Sequence, residues 1–232
     1  MRSVSPSERR DRPGHLDAAA GQPTASVQTI QPAGRGGWAA MTAVHDALRR
    51  DLDQLTHTTA SRAAARARWI VFRDQLQFHF AAEHTAMWPY ARARLTGDPH
   101  GQVLLEAMED ERSLIGPLRA VTDDAFTMDA DPGRLRQLLV RLRTRLASHL
   151  AHEEAEALPL ISQALPPGRL DAIARAVCGG HSLRRAAATL PWALASASPG
   201  VRGQVLGELP APTRVLCRRV WLPRYSRDRP AR

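Results

Sequence analysis

The chain has 232 residues, about one and a half times a usual domain length of roughly 150, which favours one moderate domain with extensions over two full domains. Apolar residues make up 44% and charged residues 24%, enough for a real core and too balanced for wholesale disorder. The 32 basic residues against 23 acidic ones give a net charge of +9, which taken alone suggests an anionic partner; yet all of them are Arg, in a chain without Lys or Asn, a bias that GC-rich coding explains more readily than phosphate binding.

Residues 1–37 are rich in Pro and Gly, show no periodic apolar face and are expected to form a disordered tail. The first amphipathic helix is expected from about Met41 to Thr58, with Met41, His45, Leu48, Leu52 and Leu55 on one stripe. A second runs from about Ser61 to Leu95 with Phe72, Leu76, His79, Glu83, Met87 and Tyr90 in line, and Pro89 should kink it or end it locally. Gly97-Asp98-Pro99 marks a turn, and a third helix from about His100 to Asp124 carries Leu104, Met108, Glu111, Ile115 and Leu118. Asp131-Pro132 is a helix start, and the fourth helix continues to about Gln163 with Leu135, Leu139, Leu142, Leu146, His149, Glu153 and Leu160 on one face. A further helix from about Arg169 to Leu190 and short, Pro-punctuated helices follow.

Strand-like alternation is absent, so the fold class is all-α: an antiparallel four-helix bundle over residues 38–165 with a C-terminal helical extension over 166–232. Charge divides unevenly across these segments. Five Arg against three acids give +2 in the tail, fifteen against seventeen give −2 in the bundle, and twelve against three give +9 in the extension. Cys178 and Cys217 have no spacing that suggests a thiolate metal site or a disulfide framework. With no apolar leader at the N-terminus, and with the stretch Ala186 to Val201 broken by Pro191 and Pro199, a cytoplasmic location without a membrane partner is expected.

Ligand-type residues sit inside the apolar stripes. A His or Glu on the dry face of a helix costs several kcal/mol unless it is hydrogen-bonded, paired or bound to a metal. His79 and Glu83, and again His149 and Glu153, stand four residues apart, so each pair can present an imidazole nitrogen and a carboxylate oxygen to one point. His45 lies mid-stripe on a third helix. The metal candidates are therefore His45, His79, Glu83, His149 and Glu153. His152 and Glu156 continue the solvated row of Arg141, Arg145 and Ser148, and His84 points to the flank. Imidazole with carboxylate and no thiolate suits iron or manganese and leaves zinc open.

His79-Phe80-Ala81-Ala82-Glu83-His84 with Met87-Trp88-Pro89 resembles the second-helix motif of the hemerythrin-like, or HHE cation-binding, family. His149-Leu150-Ala151-His152-Glu153-Glu154 with Leu158-Pro159 resembles its fourth-helix motif, and His45-Asp46-Ala47-Leu48-Arg49 its first. Leu190-Pro191-Trp192 and Arg219-Val220-Trp221-Leu222-Pro223 look like the tail of actinobacterial members. The resemblance implies iron, two ions per chain, held by His45, His79, Glu83, His149 and Glu153, with the carboxylates as bridges and a small oxidant (dioxygen, peroxide or nitric oxide) as ligand. One departure stands out: the family's third helix carries Glu-His, and here Glu111-Arg112 replaces it. A guanidinium cannot ligate a metal, so one ion is left open, or Glu111 substitutes, or one metal binds. The alternative reading is a degenerate single-metal or metal-free bundle acting as an interaction module, with the basic extension as its protein-docking surface. The extension's arginines form no nucleic-acid recognition motif, which argues against that partner.

Overall fold

Where the apolar stripe has a period of 3.6, the backbone is helical throughout. The computed structural model describes residues 37–57 and 61–228. The tail expected over 1–37 lies outside them except for Gly37, which opens the first helix. The elements are α1 (Gly37–His57), α2 (Arg62–Ala86), α3 (Trp88–Arg94), α4 (Pro99–Thr127), α5 (Pro132–His152), α6 (Leu158–Ala164), α7 (Pro167–Val177), α8 (Leu183–Leu194), α9 (Pro199–Glu208), α10 (Ala211–Leu216) and α11 (Leu222–Asp228), with π-helical turns at Glu153–Ala157 and Cys217–Trp221. No strand occurs among the described residues.

The helix starts use ordinary capping chemistry. Ser61 accepts the Ala64 N–H, Asp98 that of His100 and Asp131 that of Arg134, each satisfying a donor that the helix itself leaves unpaired. The interruptions follow prolines. Pro89 offers no N–H to the preceding turn, and the expected second helix divides at Met87 into α2 and α3. Leu158-Pro159 and Leu222-Pro223 each follow a π turn, in which the Leu N–H reaches five residues back, to the carbonyl of Glu153 and of Cys217. The first π turn rotates the apolar face, so Ala157, Leu158 and Ile161 are buried whereas Leu160 is only half-buried.

The four long helices alternate in direction. His45 meets Glu154 while Asp53 meets Arg143, so α1 and α5 run antiparallel. Trp69 stacks on Phe126 at 5.3 Å while Arg92 reaches Glu109, so the α2–α3 arm and α4 are antiparallel as well. Leu48, Leu52, Phe72, Leu76, Met108, Leu142 and Leu146 fill the centre, each large aliphatic or aromatic side chain contributing roughly 1.5–3 kcal/mol by leaving water.

After Pro167 the chain returns to α1 and α2. Leu170, Ile173 and Val177 of α7 are buried against these helices. The helix expected from Arg169 to Leu190 is two helices, because Gly179 (φ +122°) and Gly180 (φ +59°) turn the chain between α7 and α8. A Cβ on Gly179 would lie 2.5 Å from the Ala186 nitrogen, so this turn requires glycine. From α8 the Trp192 indole donates to Asp51 (2.6 Å) and the Thr189 hydroxyl donates to Gln75 (3.1 Å). Arg50 donates to Ser196 (2.6 Å) and to the Trp192 carbonyl (3.2 Å). Tyr90, expected in the second helix's apolar stripe, is instead exposed, with the Arg169 guanidinium 3.6 Å above its ring. No helix among the described residues is long and apolar enough to cross a membrane.

Candidate metal centre

Halfway along the bundle the stripes of α1, α2 and the α5 π turn converge on polar atoms. One ligand atom from each of His45, His79, Glu83 and Glu153 lies within 4.8 Å of the others, and all four residues are buried. This span is near the roughly 4.2 Å that separates opposite ligands of one ion with bonds of about 2.1 Å. His79 Nε2 and Glu83 Oε1 approach to 2.6 Å, and His45 Nε2 lies 3.6 Å from Glu153 Oε2. The His45 and His79 rings meet edge to face with centroids 4.8 Å apart.

Eleven buried side-chain nitrogens and oxygens lack a hydrogen-bond partner among the described residues, and eight of them belong to these four residues and His149. Both oxygens of Glu83 and of Glu153, and Nε2 of His45, His79 and His149, are among the eight. At about 1–3 kcal/mol for each buried polar atom left unpaired, the eight would cost as much as a typical stability margin of about 5–15 kcal/mol, so the donor set fits a bound cation.

Electrostatics point the same way. Burial pushes the His45 imidazole down to about 4 and His79 to about 3, so both are neutral with a lone pair available at pH 7. Burial pushes Glu83 up to about 8, partly offset by the Arg112 guanidinium and the Trp88 indole, and lifts Glu153 well above the usual carboxylate range, with the neighbouring Glu83 adding to the effect. Two adjacent buried carboxyls without a cation therefore hold protons that a metal would displace.

Two acids orient the imidazoles. His45 Nδ1 hydrogen-bonds Glu154 at 2.7 Å, and Arg49 clamps the same carboxylate with two bonds of 2.9 Å. Although burial alone would raise it, the His45 hydrogen bond and Arg49 hold Glu154 down to about 2. With Glu154 ionised, Nδ1 of His45 is the N–H donor and Nε2 is left facing the cluster. Glu111 treats α5 alike, receiving His149 Nδ1 at 3.2 Å on one oxygen and His152 Nδ1 at 2.8 Å on the other.

Of the five expected ligands, the structure gathers His45, His79, Glu83 and Glu153 and leaves His149 beside them. The His149 ring is buried, its Nε2 unpaired, with Phe80 edge-on at 5.9 Å, and burial pushes its imidazole down to about 4. His152 is half-buried on Glu111, while His84, His57, His100 and His181 are exposed. Sequence reasoning missed the supporting pair Arg49–Glu154. Its signal was available in part: Arg49 stands four residues after His45, and Glu154 directly follows Glu153.

A helical bundle with buried His and Glu converging on one point defines a cation-binding domain. Residues 36–161, more than half of the chain, match the Hemerythrin HHE cation binding domain, and the protein belongs to that family. No curated protein and no solved structure matches the chain.

Proposed function

We propose that the chain is a non-heme iron protein of the hemerythrin class that binds, senses or reduces a small oxidant such as dioxygen, peroxide or nitric oxide. The carrying observation is the concentration of unpaired buried ligand atoms on His45, His79, Glu83, His149 and Glu153. A bound ion would be held by His45, His79, Glu83 and Glu153. His149, whose Nε2 is also unpaired, would help the same carboxylates hold a second ion. Arg112 cannot serve as a ligand, so a second ion would have fewer protein ligands and would be accessible to a small molecule.

Bound iron would supply electrons to the oxidant. The protein's own part is positional: Glu154 and Glu111 fix two imidazole tautomers, Arg49 fixes Glu154, and the packed stripes keep bulk water from the carboxyls. A one-ion centre is the second reading, favoured by His149 standing outside the four-residue set. Iron per chain, measured with the visible spectrum of aerobically purified protein, tests both. Two equivalents with a charge-transfer band support the first and one equivalent the second. No iron, and no band after anaerobic ferrous loading and air exposure, overturns both in favour of a metal-free module.

A further inference from the structure

Arg112 of α4 stands over the Glu83 side of the cluster, and the nearest carboxylate open to it, Glu109, is shared with another guanidinium. A guanidinium carries five N–H donors, yet Arg112 makes no hydrogen bond among the described residues. Its side chain is 25% exposed, and the Glu109 carboxylate stands 4.0 Å away. That carboxylate already serves Arg92, so two guanidiniums share one acid. A cavity of about 260 Å³ opens beside Arg112, with Trp88, Leu105 and Met108 as apolar wall and His84 at its side. A second cavity of about 320 Å³, reaching Phe80 and Arg119, shares Arg112 and Glu109. Arg112 is thus the partition between two cavities, both short of acids. Trp88 and Arg112 are also the groups that favour the ionised form of buried Glu83, so the wall of the first cavity faces the cluster.

A half-buried guanidinium between apolar walls is a good anion receptor. Its parallel N–H groups match two oxygens of a planar oxyanion, and reduced solvation strengthens the pair relative to water. A cation would find only Glu109, already engaged by Arg92. We propose that the Arg112 cavity binds a small planar oxyanion of the nitrite or formate type, next to the metal centre and independently of it. The proposal uses the metal-centre reading only for what lies beneath the cavity; the donors are the protein's own.

The test is titration of the full chain, as purified and after metal stripping, with sodium nitrite, formate and chloride at constant ionic strength. Calorimetry gives affinities, and circular dichroism checks the fold of each variant. Nitrite and formate should saturate one site in both preparations, at least tenfold tighter than chloride. Arg112→Gln should weaken them at least tenfold, and Glu109→Gln, which removes the competing acid, should tighten them severalfold. Equal affinity in wild type and Arg112→Gln overturns the proposal. So does nitrite binding that disappears on metal stripping, which would assign the anion to the metal. If metal analysis finds no iron while Arg112-dependent binding persists, the metal-centre reading fails and the anion site stands.

Discussion

Replacing Glu154 with Ala removes the acceptor that holds His45 Nδ1 at 2.7 Å and leaves the Arg49 guanidinium, which that carboxylate clamps at 2.9 Å, without its main partner. His45 then loses its fixed tautomer, and a positive charge that keeps only the longer Asp46 contact at 3.4 Å stands near the cation. Losing such a supporting acid costs about 10–100-fold in metal affinity, roughly 1.4–2.7 kcal/mol. At a fixed free metal concentration well above Kd, the metal-induced gain in stability falls by the same amount. For a chain of this size each kcal/mol is worth about 2–4 °C in Tm, so the metal-induced rise in Tm should shrink by roughly 3–10 °C. The assay is differential scanning calorimetry of wild type and Glu154→Ala, each stripped and ferrous-loaded under anaerobic conditions. The difference between loaded and stripped protein cancels any effect of the substitution on the bundle alone. An undiminished metal-induced shift would refute the assignment of Glu154 as the support of a metal-binding His45.

Cation uptake should release protons, because Glu83 is pushed up to about 8 and is protonated at pH 7. Apparent metal affinity should therefore rise at least about tenfold per pH unit from pH 6 to 7.5, as followed by competition with an indicator, with the Glu83 share fading above about 8 and Glu153 adding to the slope; a flat profile would contradict a protonated Glu83. In stripped protein the sign reverses. A carboxyl whose folded pKa is raised contributes stability that is full below its unfolded value of about 4.5 and is lost as pH climbs through about 8, so Glu83→Gln should flatten that decline in urea midpoints. Trp192→Phe deletes the indole N–H on Asp51 and should lower stability by about 1.5–3 kcal/mol with an unchanged denaturant slope. Gly179→Ala forces a side chain onto φ +122° against the Ala186 backbone and should cost at least about 1–3 kcal/mol in the same experiment.

The four long helices were legible because their stripes repeat every three or four residues, and buried Leu48, Leu76, Met108 and Leu142 lie where those stripes put them. Periodicity assigns a face but no depth along the bundle, which is why His149 shares a stripe with Glu153 yet stands outside the four-residue set. The π turn was hidden for a related reason: a one-residue widening shifts the apolar face without changing its composition, moving burial from Leu160 to Ile161. The α7–α8 break falls at Gly179 and Gly180, inside the single helix expected from about Arg169 to Leu190, where positive φ at two glycines turns the chain. The pairing of His45 and Arg49 with Glu154 depends on which helices touch, and no pattern within one helix carries that.

Three of the four gathered residues belong to α1 and α2, and α8 bolts both helices from outside. Its Trp192 bond lands on Asp51, six residues after His45, and its Thr189 bond on Gln75, four residues before His79. On the metal-centre reading the C-terminal helices act as the rigid frame of a chelator, fixing the bite between donor atoms before a guest arrives. A chain shortened before α8 should keep every ligand yet discriminate less sharply between ions of different radius.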